Sequence, residues 1–221
     1  ESGVANAETK QVQFEGPVRL KQALNAIEKQ GLLADVYWPA VRLVKTDEAA
    51  ELERKKQNML LQLAELEAYW RGRRETDKAD AALMLQGQIK GWQLGQQYWG
   101  HISIEQARQN LVDNPLLPEG SYSLVLPERP EHIYMYGLVS KPGKYAFHTG
   151  KTVANWLNSI EEQSDLLSSY SKSVATVVSV DDEQQTNWAY YKQSDAELMP
   201  GNILWLGFEP NQLPPKYKSL N

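Results

Sequence analysis

"YMYGLVSKPGKYAFHTGKT", Tyr134–Thr152, is the stretch on which the reading of this chain turns. It ends in Gly150-Lys151-Thr152, the last letters of a phosphate-binding loop. Downstream, "VATVVSVDD" (Val174–Asp182) is an apolar run closing on two aspartates, like the magnesium-holding half of a nucleotide site. A phosphate-binding loop needs a glycine, four residues, then Gly-Lys-Ser/Thr, because its backbone N–H groups must wrap one phosphate. That glycine would occupy position 145, where the chain has Tyr145. The nearest upstream glycine, Gly143, is the second residue of a Pro142-Gly143 turn. "KYAFH" between them alternates as a strand does. The stretch is therefore two strands around a Pro-Gly turn, followed by the entry to a helix, "KTVANWLNSI".

The neighbouring segments extend this pattern. "VATVVSVDDEQQTNWAYY" is a β-hairpin with a polar tip, "DDEQQTN", and "LMPGNILWLGF" is a turn and a strand. Towards the N-terminus, "LPEGSYSLVLP" is also a turn feeding a strand, and "SIEQARQNL" is a short helix. "VQFEG" (Val12–Gly16) is expected as a strand. "VRLKQALNAIEKQG" has Leu20, Leu24 and Ile27 on one helical face and Gly31 as its stop. "VYWPAVRLVK" (Val36–Lys45) is expected as a strand, with Pro39 at an edge or bulge. Between these, residues 47–99 turn helical. Thr46 or Asp47 can cap a first helix striped by Leu52, Met59, Leu63, Leu66 and Trp70. Thr76 or Asp77 can cap a second, carrying Ala79, Ala82, Leu83, Ile89 and Leu94. Gly87, Gly91 and Gly95 would form a smooth ridge for close approach of another backbone. The segment is an antiparallel helical hairpin.

The chain repeats itself faintly. At an offset of 133, Leu20, Leu24, Asn25 and Ile27 meet Val153, Leu157, Asn158 and Ile160. At an offset of 81, Gly120 meets Gly201 in two Leu/Pro/Gly turns that lead into strands. The offsets differ by 52, and the proposed hairpin from Asp47 to Trp99 is 53 residues long. Two similar small units follow, the first carrying the hairpin at the tip of a β-hairpin, where insertions are tolerated.

Composition narrows the function. The 221 residues carry a net charge of −5, against the clustered basic face that nucleic acid requires. There are no cysteines, which removes thiolate metal sites and cysteine nucleophiles. His101, His132 and His148 lack metal-ligand spacing, and no catalytic signature selects a carboxylate pair. Seven Trp and eleven Tyr against three Phe favour amphipathic rings that stack on polar partners such as sugars. Tyr37 and Trp38 are candidates for that contact. Arg108 and Arg129 are candidates for a carboxylate or sugar acid, which a guanidinium fork grips well. The opening "ESGVANAETK" is polar, as expected where a secretion signal was never present or has been removed.

"Tyr136-Gly137-Leu138-Val139-x-x-Pro142-Gly143-x-Tyr145", followed by a helix starting at Thr152-Val153, resembles the soluble-ligand-binding β-grasp repeat of outer-membrane polysaccharide export proteins. Two such units with a helical hairpin in the first resemble the GfcC family of group 4 capsule biosynthesis proteins. The resemblance implies an α+β fold of two tandem β-grasp domains. The first would span residues 8–130 with the hairpin at about 47–99, the second 131–208, and a Pro-rich tail 209–221. It implies a periplasmic, non-enzymatic accessory protein, monomeric and without cofactor or metal. Its partners would be capsular polysaccharide or outer-membrane export proteins resembling the Wza-type channel, and not nucleic acid. It also implies a functional arginine near the cleft between units, for which Arg108 is the candidate. A C-terminal amphipathic helix, a possible peripheral membrane contact, would begin where the chain stops, after "PPKYKSLN". Two other readings compete: an enzyme acting on the polymer, and a structural adaptor docking through the hairpin.

Overall fold

The computed structural model describes residues 11–46, 49–92, 94, 96–99, 114–162, 174–178, 183–187 and 196–220. The fold is mixed α+β. Its elements begin with β1 (Val18–Arg19), α1 (Leu20–Glu28), β2 (Arg42–Lys45), α2 (Ala49–Gly72) and α3 (Thr76–Lys90). Then come β3 (Gln96–Trp99), β4 (Leu116–Leu117), β5 (Tyr122–Val125), β6 (His132–Gly137) and β7 (Gly143–Ala146). Last are α4 (Val153–Glu162), β8 (Val174–Val178), β9 (Glu183–Asn187) and β10 (Ile203–Leu206). Short 3-10 turns lie at Trp38–Ala40 and Pro215–Leu220.

The strands form a pair, β1-β4, a sheet ordered β3-β2-β5, and a sheet ordered β7-β6-β10-β8-β9. The pairings of the two sheets correspond. Arg19 pairs with Leu116, and Thr152 bridges Glu197, both antiparallel. The Leu20 amide donates to the Pro115 carbonyl at 3.0 Å, and the Val153 amide to the Ala196 carbonyl at 2.9 Å. Lys45 pairs with Tyr122, and Val178 with Ile203. In every case one partner moves by 133 and the other by 81, the offsets of the sequence repeat. One feature does not carry over. In β10, Leu204 and Leu206 are buried, whereas in β5 the inner residues are Tyr122 and Leu124, counterparts of Ile203 and Trp205. The exchange extends to the paired strand, since Leu43 is buried in β2 whereas in β8 it is Val177, not Leu43's counterpart Thr176, that is buried; the pairing is kept and the inner face is reversed.

The helical hairpin enters the sequence between β2 and β3, which pair antiparallel at its base. Its apolar stripe does not turn to that sheet. Leu63, Leu66 and Trp70 of α2, with Ala79, Ala82, Leu85 and Ile89 of α3, share one core with Ile133, Met135, Leu204 and Leu206. Trp70 tilts against Phe208 at 5.1 Å between ring centroids. Burying side chains of this size contributes about 1.5–3 kcal/mol each. The Gln88 side chain closes the seam: its Nε2 donates to the Gly137 carbonyl at 2.8 Å, and its Oε1 accepts from the Gly137 amide at 3.0 Å. Only glycine fits there. A Cβ on residue 137, where φ is +92°, would stand 2.2 Å from the Leu206 carbonyl oxygen. The C-terminal segment also returns to the hairpin, with Leu213 and Tyr217 buried and Lys216 Nζ 2.6 Å from Glu65 Oε2.

Several local expectations change. Val12–Gly16 is not a strand; the first pairing begins at Val18. Val36–Ala40 contains a 3-10 turn closed by the Ala40 amide on the Tyr37 carbonyl, with Pro39 inside it, where the missing N–H costs nothing. Thr46 ties to the Ser121 carbonyl instead of capping α2, and Asp47 lies outside the described residues. Glu75 precedes α3 and makes no side-chain cap, so neither Thr76 nor Asp77 occupies the cap position. The hairpin's second helix ends at Lys90, and Gln96–Trp99 is strand, not helix. Glu183–Asn187, expected in the tip of the later hairpin, is strand β9. Met59 and Leu83 are exposed, not part of the stripe; a Cβ at Gly87 would meet nothing within 4 Å, and one at Gly91 only the carbonyls of Gln88 and Gly87, so no other element's backbone approaches these two glycines. The expected short helix at 103–111, Gly95 and the Asp181-Asp182 pair lie outside the described residues.

Candidate functional site

The alternation of β6 places Ile133 and Met135 in the core and His132, Tyr134 and Tyr136 on the opposite face. Register adds to that second face. Tyr136 stands beside Trp205, Tyr134 beside Ile203 and, across the edge strand, beside Lys144. Trp92, just past the end of α3, completes it from the hairpin. Its amide donates to the Ile89 carbonyl at 3.1 Å, and its carbonyl accepts from Lys56 Nζ at 2.7 Å. The backbone of Trp92 is thus held on both sides of its Cα, at its own N–H and at its own carbonyl.

The result is a continuous row of five aromatic rings. His132 meets Tyr134 edge-on at 4.8 Å, and its Nε2 is 2.9 Å from the Tyr134 hydroxyl. Tyr134 and Tyr136 are nearly parallel, 9° apart, at 6.2 Å. Trp92 stands edge-on to Tyr136 at 6.4 Å and to Trp205 at 5.9 Å. The tyrosine spacing is close to the two-residue rise of a strand, about 6.6–6.8 Å. All five rings are half-buried or better exposed, and Trp92 has 37% of its surface open.

Protonation follows from the surroundings. Burial, reinforced by the nearby Lys144 charge and opposed by Glu131, lowers the His132 pKa below its ordinary value. The imidazole is therefore neutral near pH 7, and one atom of the His132–Tyr134 contact donates while the other accepts. Burial first, then Tyr134, raises the Tyr136 pKa, so its phenol keeps its proton. The row is an uncharged surface of ring faces and polar edges. It suits a partner with an apolar ring face and a rim of hydroxyls. Among the described residues, no group of three His, Asp or Glu is placed to hold a metal ion.

The residues singled out from sequence fall elsewhere. Arg108 lies outside the described residues. Arg129 is exposed, makes no salt bridge among the described residues, and stands three positions before His132. The Tyr37 amide donates to the Pro127 carbonyl at 2.8 Å, which brings the Tyr37–Ala40 turn against the segment leading to Arg129. Trp38 packs against the first core beside Leu33 and Val36, so part of its surface serves structure. The aromatic row itself was missed, although "HIYMYG" carries its period-two signal in plain letters.

Comparison with known proteins supplies the family. Residues 2–129 match the model "Capsule biosynthesis GfcC, N-terminal", and residues 141–221 match "Capsule biosynthesis GfcC C-terminal". The chain belongs to the GfcC capsule biosynthesis family. Among relatives, it is 32% identical over 179 residues to the "Uncharacterized protein YjbG" of Escherichia coli (strain K12), covering 80% of this chain and 69% of that protein. Four of the five rings lie on β6 and β10, in this GfcC protein's later half, β10 within the C-terminal match and β6 just before it; Trp92 falls within the N-terminal match.

Proposed function

We propose that this GfcC-family protein is a non-enzymatic accessory factor in the synthesis or export of capsular polysaccharide, working in the periplasm and binding the polymer or a component of the export machinery. The observation that carries the binding half of this reading is the row of five rings on the open face of the larger sheet. Stacking surfaces of this kind bind ring-shaped polar molecules without needing a catalytic group. The recurrence of the same pairings at two fixed offsets supports reading the chain as two tandem β-grasp domains, with the boundary near residues 130–131.

Purified protein should retard or co-sediment with capsule polymer from a producing strain, while the polymer's chain length and reducing ends stay unchanged over prolonged incubation. New reducing ends would make the protein an enzyme and overturn the reading. A strain lacking the protein should lose surface capsule and regain it on complementation.

A further inference from the structure

We propose that the aromatic row binds an acidic polysaccharide chain, with sugar rings stacked on Tyr134, Tyr136, Trp205 and Trp92 and a sugar carboxylate held by Lys144. This rests on the polymer-binding reading above and adds the site and the ligand class.

Three observations lead there. The first is proximity: Tyr134 and Tyr136 follow one another along β6 at 6.2 Å, and Trp92 and Trp205 gather beside Tyr136, with Trp92 6.4 Å from Tyr136 and 5.9 Å from Trp205, so a chain lying along β6 meets several rings at once. The second is the mixture of attitudes. Two rings are parallel while Trp92 is edge-on to both its neighbours, so the row offers both faces and N–H or O–H edges to a ring with hydroxyls around its rim.

The third is charge. Register puts Lys144 beside Tyr134 on this same face. It is the one formally charged residue that the alternation of β6, β7, β8 and β10 assigns to the face, and it makes no salt bridge among the described residues. The register position of Glu183 on β9 is at the opposite edge of the sheet, three strands away from β6. His132 stays neutral beside Lys144 and does not compete for an anion. An ammonium next to stacked phenols, with Lys56 engaged on the Trp92 carbonyl and Glu131 beside His132, matches a polymer that alternates ring faces with carboxylates. The net charge of −5 repels polyanions at long range, so selectivity must come from this local contact.

The test is calorimetric binding of polygalacturonate and of its carboxyl-reduced, neutral counterpart, together with capsule polymer from a producing strain. The wild-type chain should prefer the acidic polymer. Trp92→Ala should weaken binding to both by about tenfold or more, with Trp92→Phe restoring part of it and the folded circular-dichroism spectrum retained in both variants at the temperature of the titration. Lys144→Gln should cost about tenfold on polygalacturonate and nothing on the neutral polymer. Equal binding of acidic and neutral polymers by the wild type overturns the acid contact. Binding that survives Trp92→Ala and Tyr136→Ala undiminished overturns the row while the polymer-binding reading stands. Failure of the wild type to bind any of the three polymers removes that reading along with it.

Discussion

Among the described residues, the first sheet of this chain closes over five buried apolar side chains, Leu20, Leu24, Val41, Leu43 and Leu117. The second, built with corresponding pairings, shares a core of 24 among the described residues. The helical hairpin supplies eight of those 24. It is inserted between β2 and β3 of the first sheet, yet its stripe lies against the second sheet. Where a segment is inserted and where it packs are separate facts, decided by different physics. Insertion needs only a loop tip that tolerates it. Packing goes to whichever surface removes more apolar area from water. Removing residues 47–99 would therefore not be a neutral trim, because it would strip Phe208 of Trp70 and Gly137 of Gln88.

This asymmetry can be broken from several sides. Gly137→Ala strikes the seam hardest. It combines a left-handed φ with a Cβ 2.2 Å from the Leu206 carbonyl, and should cost more than about 4 kcal/mol in denaturant titration. Trp70→Ala should cost about 3–5 kcal/mol. Hydrogen exchange should show the loss in β6 and β10; accelerated exchange confined to β2 and β5 would instead assign the hairpin to the first unit. Leu24→Ala is the mirror experiment, costing about 2–5 kcal/mol and loosening α1 and β2 while the larger sheet keeps its protection. Gln88→Ala removes both hydrogen bonds to Gly137 and should cost about 1–3 kcal/mol.

The smallest effect is that of acid. The folded state holds the His132 pKa below the ordinary 6.5, so in mildly acidic solution the unfolded chain binds the extra proton first. Stability from this residue is fully present above pH 6.5 and falls as pH drops from there towards the depressed value. Comparing thermal midpoints at pH 7.5 and pH 5.5 should show a shallow slope that His132→Gln abolishes. Persistence of the slope in that variant would assign it to other groups.

Much of the scaffold is legible in the letters. Period-3.6 apolar spacing marks α1, α2 and α4, and Pro142 lies in the turn between β6 and β7, although Gly143, read as its second residue, is already the first residue of β7. The two offsets of the repeat reappear as backbone pairings. The failures share a cause, which is that the deciding partner is remote in sequence. "QQYW" has no strand pattern of its own and becomes β3 through pairing with β2. Leu83 fits a helical stripe drawn by eye but is 51% exposed, because the core selects Ala82, Leu85 and Ile89 instead. Within the site, "HIYMYG" announces alternating rings, yet nothing local shows that Trp92 and Trp205 join them. Nothing beside Gly137 announces its constraint either, which is a carbonyl 69 positions later in the chain.

The return of the C-terminal segment onto α2 also sets a timetable for synthesis. Lys216 reaches Glu65 across 151 positions, and Phe208, Leu213 and Tyr217 complete the core around residues made much earlier. At the usual pace of about 5–20 residues per second, Leu66 and Trp70 leave the ribosome on the order of ten seconds before their last partners exist. The hairpin can coil in microseconds, but its oily side must wait uncovered. Newly made chains of this protein are thus adhesive for a defined interval, and any chaperone that serves them has a natural handle between residues 63 and 89.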